Sequence, residues 1–287
     1  MRWIGRRESD QVEDQRGFGG RGVTLGCGTV LVALVIGWLT GNDPIRILQL
    51  LTSGSPPAAE TGAPPQSRAP AGPDAEDPGR KFVAVVLADT EDTWTEIFAK
   101  SGQTYELPKL VLYTGLTETS CGRGSAAQGP FYCPYDRKVY LDLSFFDELA
   151  RRFGAPGDFA RAYVVAHEVG HHVQNLMGIE RKVRSVQERA SEAQGNDLSV
   201  RLELQADCLA GVWGHHGAQK GLLEPGDAEA GLRAAAAIGD DRLQRLSTGR
   251  VQPESFTHGS SSQRVEWLRR GLETGDPGAC QTFAGIL

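Results

Sequence analysis

The chain has 287 residues, 40% hydrophobic and 23% charged, enough for one substantial core or a core with an appendage. A net charge of -6 supplies no electrostatic footprint for nucleic acid, and no basic run interleaved with aromatics stands in the second half, so a nucleic-acid partner is excluded. The 36 Gly and 15 Pro are unevenly spread, which speaks for local linkers and against a glycine-rich or fibrous fold.

In chain order, residues 1–22 carry Arg2, Arg6, Arg7, Arg16 and Arg21. The 18 positions from Val23 to Thr40 then hold no charge. At 1.5 Å per residue such a run spans about 27 Å, the reach of one transmembrane helix. It is too long for a signal-peptide core and lacks an A-x-A-like exit. Only Arg46 follows closely, so the positive-inside bias predicts a single-pass protein with a cytoplasmic N-terminus and an extracytoplasmic domain. Residues 41–80, above all "SGSPPAAETGAPPQSRAPAGPDAEDPGR", are too poor in large apolar side chains to offset ordering entropy and read as a tether.

The domain is expected over 81–287. It opens with an apolar lead-in and a helix starting near Asp89 or Thr90, followed by strands at Leu110–Tyr113 and Val139–Leu143. The segment between those strands is rich in turn residues. Helical patterns follow over Phe145–Arg152, Asp158–Met177, Arg181–Ala193, Asp197–Trp213, Asp227–Leu246 and Ser261–Glu273. A small sheet followed by a run of helices predicts an α+β fold. Cys27 falls in the apolar run, which leaves Cys121, Cys133, Cys208 and Cys280 for the domain. The short glycine-rich loop favours pairing Cys121 with Cys133 and, by exclusion, Cys208 with Cys280. No C-x-x-C spacing argues for a zinc site built from cysteine.

His167, Glu168 and His171 spell H-E-x-x-H inside an apolar helical pattern. Four residues on a helix return to within about 40° of the starting direction, so both imidazoles can meet one cation, and Glu168 can face a water beside it. Two neutral nitrogens and a carboxylate base suit Zn²⁺ better than Mg²⁺ or Ca²⁺. His172, about 100° from His171, is expected to hydrogen-bond to protein. Glu203 and Asp207 stand four apart on a second helical pattern, which makes Glu203 the candidate third ligand and Asp207 the acceptor orienting a ligating histidine. His258, just ahead of a helix, is the candidate donor to a developing oxyanion, with a plain loop histidine as the alternative. Asp240 and Asp241 read as a helix N-cap or a solvated pair before they read as a second cation site.

The stretches "AHEVGHHVQN", "ELQADCLAGVWG", "GPFYCPYDRKVYLDLSFF" and "FTHGSSSQRVEWLRRG", with the opening "MRWIGRRESDQVEDQRG", resemble the bacterial neutral zinc metallopeptidases of the YpfJ type. The resemblance covers the leader and nearly all of the domain, but not the linker. More distantly, H-E-x-x-H followed by E-x-x-A-D resembles the membrane-associated zincins, in which the later Glu binds zinc. That implies a zincin-like metallopeptidase domain. Those proteins carry T-H-P downstream, where this chain has Gly259 in place of the proline. By analogy with zincins, an edge strand holding Tyr132 or Tyr140 is expected to line the cleft. The expected activity is hydrolysis of a peptide or protein substrate at the membrane, with zinc held by His167, His171 and Glu203 and Glu168 as general base. The competing expectation is a non-catalytic, zinc-stiffened module that binds envelope components.

Overall fold

The computed structural model describes residues 1–17 and 77–286. The first helix among the described residues, α1 (Pro78–Lys100), starts eleven or twelve residues before the expected position. Asp77 caps it by accepting from the backbone N–H of Gly79 and Arg80, and Pro78 occupies the first turn, where a missing N–H costs nothing. The apolar lead-in is therefore helix interior, and Phe82 to Ala88 are buried on every side.

Among the described residues six strands form two sheets, and four of the six were not expected. The six are β1 (Val12–Asp14), β2 (Lys109–Tyr113), β3 (Leu116–Thr119), β4 (Gly122–Ser125), β5 (Phe131–Cys133) and β6 (Lys138–Asp142). The main sheet runs β1-β2-β6-β5, with β1, β2 and β6 parallel and β5 antiparallel to β6. β3 and β4 form a hairpin. Both expected strands exist, as β2 and β6. The turn-rich segment between them supplies β3, β4 and β5.

The helices are α2 (Ser144–Arg151), α3 (Asp158–Leu176), α4 (Ile179–Gln187), α5 (Glu192–Gln219), α6 (Asp227–Ala237), α7 (Asp240–Thr248) and α8 (Ser261–Thr274). The single helix expected over Asp227–Leu246 is split at Gly239. A Cβ there would lie 2.3 Å from the backbone nitrogen of Ser261, so only glycine lets the chain pass the start of α8. Glycines also let α5 and α8 touch: a Cβ on Gly211 would lie 2.3 Å from the Leu268 carbonyl, and one on Gly271 would lie 2.0 Å from that of Cys208. Val165 and Val169 of α3, Leu209 and Trp213 of α5, and Leu110 and Leu141 of the sheet share one core. Cys121 bridges Cys133, and Cys208 bridges Cys280.

Two expectations need correction. The expected fold class, an α+β domain behind a membrane-spanning helix, is corrected to α+β: among the described residues no helix is long and apolar enough to cross a membrane. The expected span at Val23–Thr40 lies outside the described residues, as does most of the expected linker. The single-pass placement with a cytoplasmic N-terminus and extracytoplasmic domain is corrected as well. Met1–Arg16 and the chain from Glu76 onward form one compact unit, with Val12 paired to Leu110, and one sheet cannot lie on both sides of a bilayer. Arg2, Arg6, Arg7 and Arg16, four of the five arginines that suggested a membrane flank, instead fasten this arm to the domain. Arg7 meets Glu91 at 3.0 Å and Asp92 at 2.7 Å, and Arg16 meets Asp77 at 2.6 Å. Trp3 packs edge-on against Phe82 and donates to Asp158 at 2.9 Å.

Candidate metal centre

Helix α3 carries two adjacent stripes at i, i+4, i+7 spacing. One is His167, His171 and Gln174; the other is Glu168, His172 and Asn175. The first faces α5 at a close crossing. A Cβ on Gly170 would lie 3.0 Å from the carbonyl of Ala206, so the glycine between the histidines lets the two backbones approach. Across that gap Glu203 reaches His167 Nε2 at 3.1 Å and His171 Nε2 at 3.4 Å. Among the described residues these three side chains form the one group of this kind able to share an ion, with ligand atoms all within 4.8 Å of one another. A tetrahedral ion with bonds of about 2.1 Å places its ligands about 3.4 Å apart, so the donor set fits zinc in chemistry and in spacing.

The far nitrogen of each ring is engaged. His167 Nδ1 donates to Asp207 at 2.9 Å, and His171 Nδ1 donates to the Gln174 Oε1 at 2.9 Å. The Gln174 amide nitrogen gives its own protons to the Leu202 carbonyl and to Gln205, which identifies its oxygen as the acceptor. Both histidines thus turn Nε2 toward Glu203, the nitrogen that would bind a metal once its proton is displaced. Asp207 is fully buried and also accepts from Tyr163 Oη at 2.5 Å and from Arg264 at 2.8 and 2.9 Å.

This paired burial sets the ionisation. Burial opposes the charged form of Asp207, but Arg264 and His167 overcome it and hold the carboxyl at about 2. Burial likewise opposes the His167 cation, yet Asp207 and Glu203 raise it to about 10. Burial works against ionised Glu203 too, and the two histidines nevertheless hold it well below the usual carboxylate range. Glu168 differs: it is buried without a protein hydrogen-bond donor among the described residues, and burial raises its pKa.

Arg264, Tyr163 and Gln174 were not singled out from the sequence. Arg264 left a trace there, since it begins the i, i+4, i+7 stripe with Leu268 and Gly271 that α8 buries. A charge on a buried stripe asks for a buried partner.

The remaining candidates lie around a cleft of about 670 Å³ that contains His167, Glu168, His171 and Glu203. His172 is not part of its lining; it is wholly buried, and burial lowers its pKa to about 4. Tyr132 lines the cleft, whereas Tyr140 does not, as it stacks on Phe131 and donates to Asp136. His258 lines the rim with its side chain 52% exposed, and its Nδ1 lies 3.3 Å from Asp240. That hydrogen bond raises the His258 pKa. Asp240 also accepts from the backbone N–H of Thr257, His258 and Gly259, while Asp241 accepts from Ser261. These carboxylates follow the N-cap Gly239 in the first turn of α7 and hold the loop, so they are not a solvated pair. Gly259 has φ +92°, a conformation closed to proline, which accounts for the departure from T-H-P.

The chain matches the family model described as "Putative neutral zinc metallopeptidase" over residues 1–283. This chain belongs to that family. YpfJ of Escherichia coli (strain K12) is 53% identical over 290 residues, covering 99% of each chain. A protein of Mycobacterium tuberculosis (strain H37Rv) is 47% identical over 191 residues, covering 63% of this chain and 64% of its own. No solved structure matches. The family match includes the arm at residues 1–16, in keeping with its place in the same compact unit as the metal centre.

Proposed function

We propose that this protein is a zinc-dependent endopeptidase acting on peptide or protein substrates. The observation that carries this is the convergence of His167, His171 and Glu203 at one point in a cleft that also receives the buried Glu168. Three protein donors leave one place of a tetrahedral site to solvent or substrate, the pattern of catalytic zinc. Zinc bound there supplies a Lewis acid that acidifies water and polarises a carbonyl. Glu168 takes a proton from the attacking water and delivers it to the leaving amine. Asp207 and Gln174 hold the two imidazoles in orientation. His258 donates from the rim to the oxygen that gains charge, and Asp240 holds it in place.

The test uses the full chain loaded with zinc and a casein substrate. Glu168→Gln is expected to keep one zinc per chain and lower kcat by about 10²- to 10⁴-fold. A variant that still cuts at the parent rate removes Glu168 from the mechanism. A parent that binds zinc and cuts nothing supports the zinc-stiffened binding module instead.

A further inference from the structure

The cleft that holds the metal centre differs between its two ends. Helices α3 and α5 run antiparallel along it, with His167 beside Asp207 at one level and Gln174 beside Leu202 two turns on. At the Gln174 end the lining includes Glu180, which pairs with Arg184 at 3.1 Å, and Ser199, which accepts from Gln187 at 3.0 Å. Towards the start of α3 the same cleft is lined by Phe145, Phe153, Val164, Ile238, Leu243 and Leu246.

This apolar end is put together from three helices. Val164 stands one turn before Glu168 on α3, about 5.4 Å along the axis, so a side chain next to the carbonyl under attack reaches it. Phe153 follows α2, and its carbonyl accepts from Arg242 of α7 at 3.1 Å, which ties α7 to that bank. Only Asp240 of α7 is buried, and its carboxylate holds the loop that bears His258. Leu243 and Leu246, the sole large apolar side chains of α7, stand three apart on one side of the helix and both line the cleft. Leu243 also touches the core, whereas Leu246 is 63% exposed. One exposed leucine is ordinary on any surface, but here it continues an apolar wall that begins beside the proposed base. The charged side chains along this end already have partners: Glu148 pairs with Arg152, and Arg264 with Asp207.

We propose that the space between Phe153 and α7 is a specificity pocket that takes a large apolar side chain, of the size of leucine or phenylalanine, from the residue flanking the bond to be cut, with Leu243 as its deciding residue. The proposal rests on the peptidase reading above and names the class of substrate. An apolar side chain entering there removes apolar surface from water on both sides, while a carboxylate or ammonium loses its hydration and finds no free partner.

The experiment uses the zinc-loaded full chain and three N-acetyl amino-acid hydroxamates, of glycine, leucine and aspartate, with binding measured by titration calorimetry. The hydroxamate group holds each probe on the metal, so differences between probes report the side chain alone. The leucine probe is expected to bind about 10- to 100-fold more tightly than the glycine probe, and the aspartate probe no more tightly than glycine. Leu243→Lys is expected to cut the leucine preference to less than about threefold and to tighten the aspartate probe about tenfold, with the glycine probe unchanged. Leu246→Lys, at an exposed position that tolerates the change, shifts both probes in the same directions by about threefold. Leu116→Lys, an exposed leucine on the β3–β4 hairpin, alters none of them. Equal affinity for leucine and glycine, a leucine preference that survives both lysine variants of α7, or failure of all three probes to bind overturns the pocket. If the parent cuts casein through Glu168 while leucine and glycine bind alike, the pocket alone is wrong. If the parent cuts nothing yet prefers leucine through Leu243, the pocket stands and the peptidase reading falls.

Discussion

The crossing of α3 and α5 and the rim formed by α7 and residues 257–259 border the same cleft, but they are built differently. At the crossing, Gly170 admits close backbones, and the buried His167, Asp207, Tyr163 and Arg264 satisfy one another. At the rim, His258 is half exposed and depends on Asp240 and the neighbouring Thr257 hydroxyl. Glu203 and Asp207 repeat the contrast within one helix: four residues apart, one faces the cleft and the other is sealed behind it. A metal ligand must be fixed before the ion arrives, and that demands a rigid shell with no unpaired charge. A group that follows a substrate tolerates looser support. Mutations at the crossing should therefore act on stability and zinc, and mutations at the rim on turnover.

The sharpest break is expected from Arg264→Met, which strands the Asp207 carboxylate. Removing one partner of a buried pair costs about 3 to 5 kcal/mol, and urea unfolding of the chelated protein should show it. A loss under about 1 kcal/mol would mean that Asp207 finds other compensation. Next comes pH. In the chelated protein the neighbouring carboxylates keep His167 protonated up to about 10, so zinc must displace a proton. Zinc affinity should rise by about tenfold per pH unit between pH 6 and 9, read by chelator competition. The same raised pKa stabilises the chelated fold fully below about 6.5, the unfolded value, and that contribution is lost as pH climbs through about 10. Flat affinity across this window would remove the proton from the linkage.

Asp207→Asn should weaken zinc about 10- to 100-fold, the usual cost of losing a carboxylate behind a ligating histidine. His258→Ala should keep zinc and lower kcat by only about tenfold, below the usual loss for a buried oxyanion donor, because this histidine is partly solvated. Loss of zinc in His258→Ala would erase the distinction between crossing and rim.

The metal helix and its partner were legible because their signal is periodic: His167 and His171 at one spacing, Glu203 and Asp207 at the same spacing, each in an apolar pattern. Most helices and the two central strands were legible for the same reason. What escaped depends on contacts distant in sequence. Arg264 meets Asp207 from 57 positions away, and nothing local to "SSQRVEW" names its partner. β3 to β5 lie in a glycine-rich stretch whose pairing is set by the hairpin and by Cys121–Cys133. The N-terminal arm has the arginines of a membrane flank, and only its ion pairs with α1 reveal what they neutralise.

That arm has a practical consequence for anyone trimming the protein. A fragment begun at Pro78 would bare the edge of β2 along Leu110 to Leu112, strip Trp3 from the face of Phe82, and leave Glu91 without Arg7. An uncovered hydrophobic strand edge recruits other chains, so such a fragment should precipitate even with every metal ligand present.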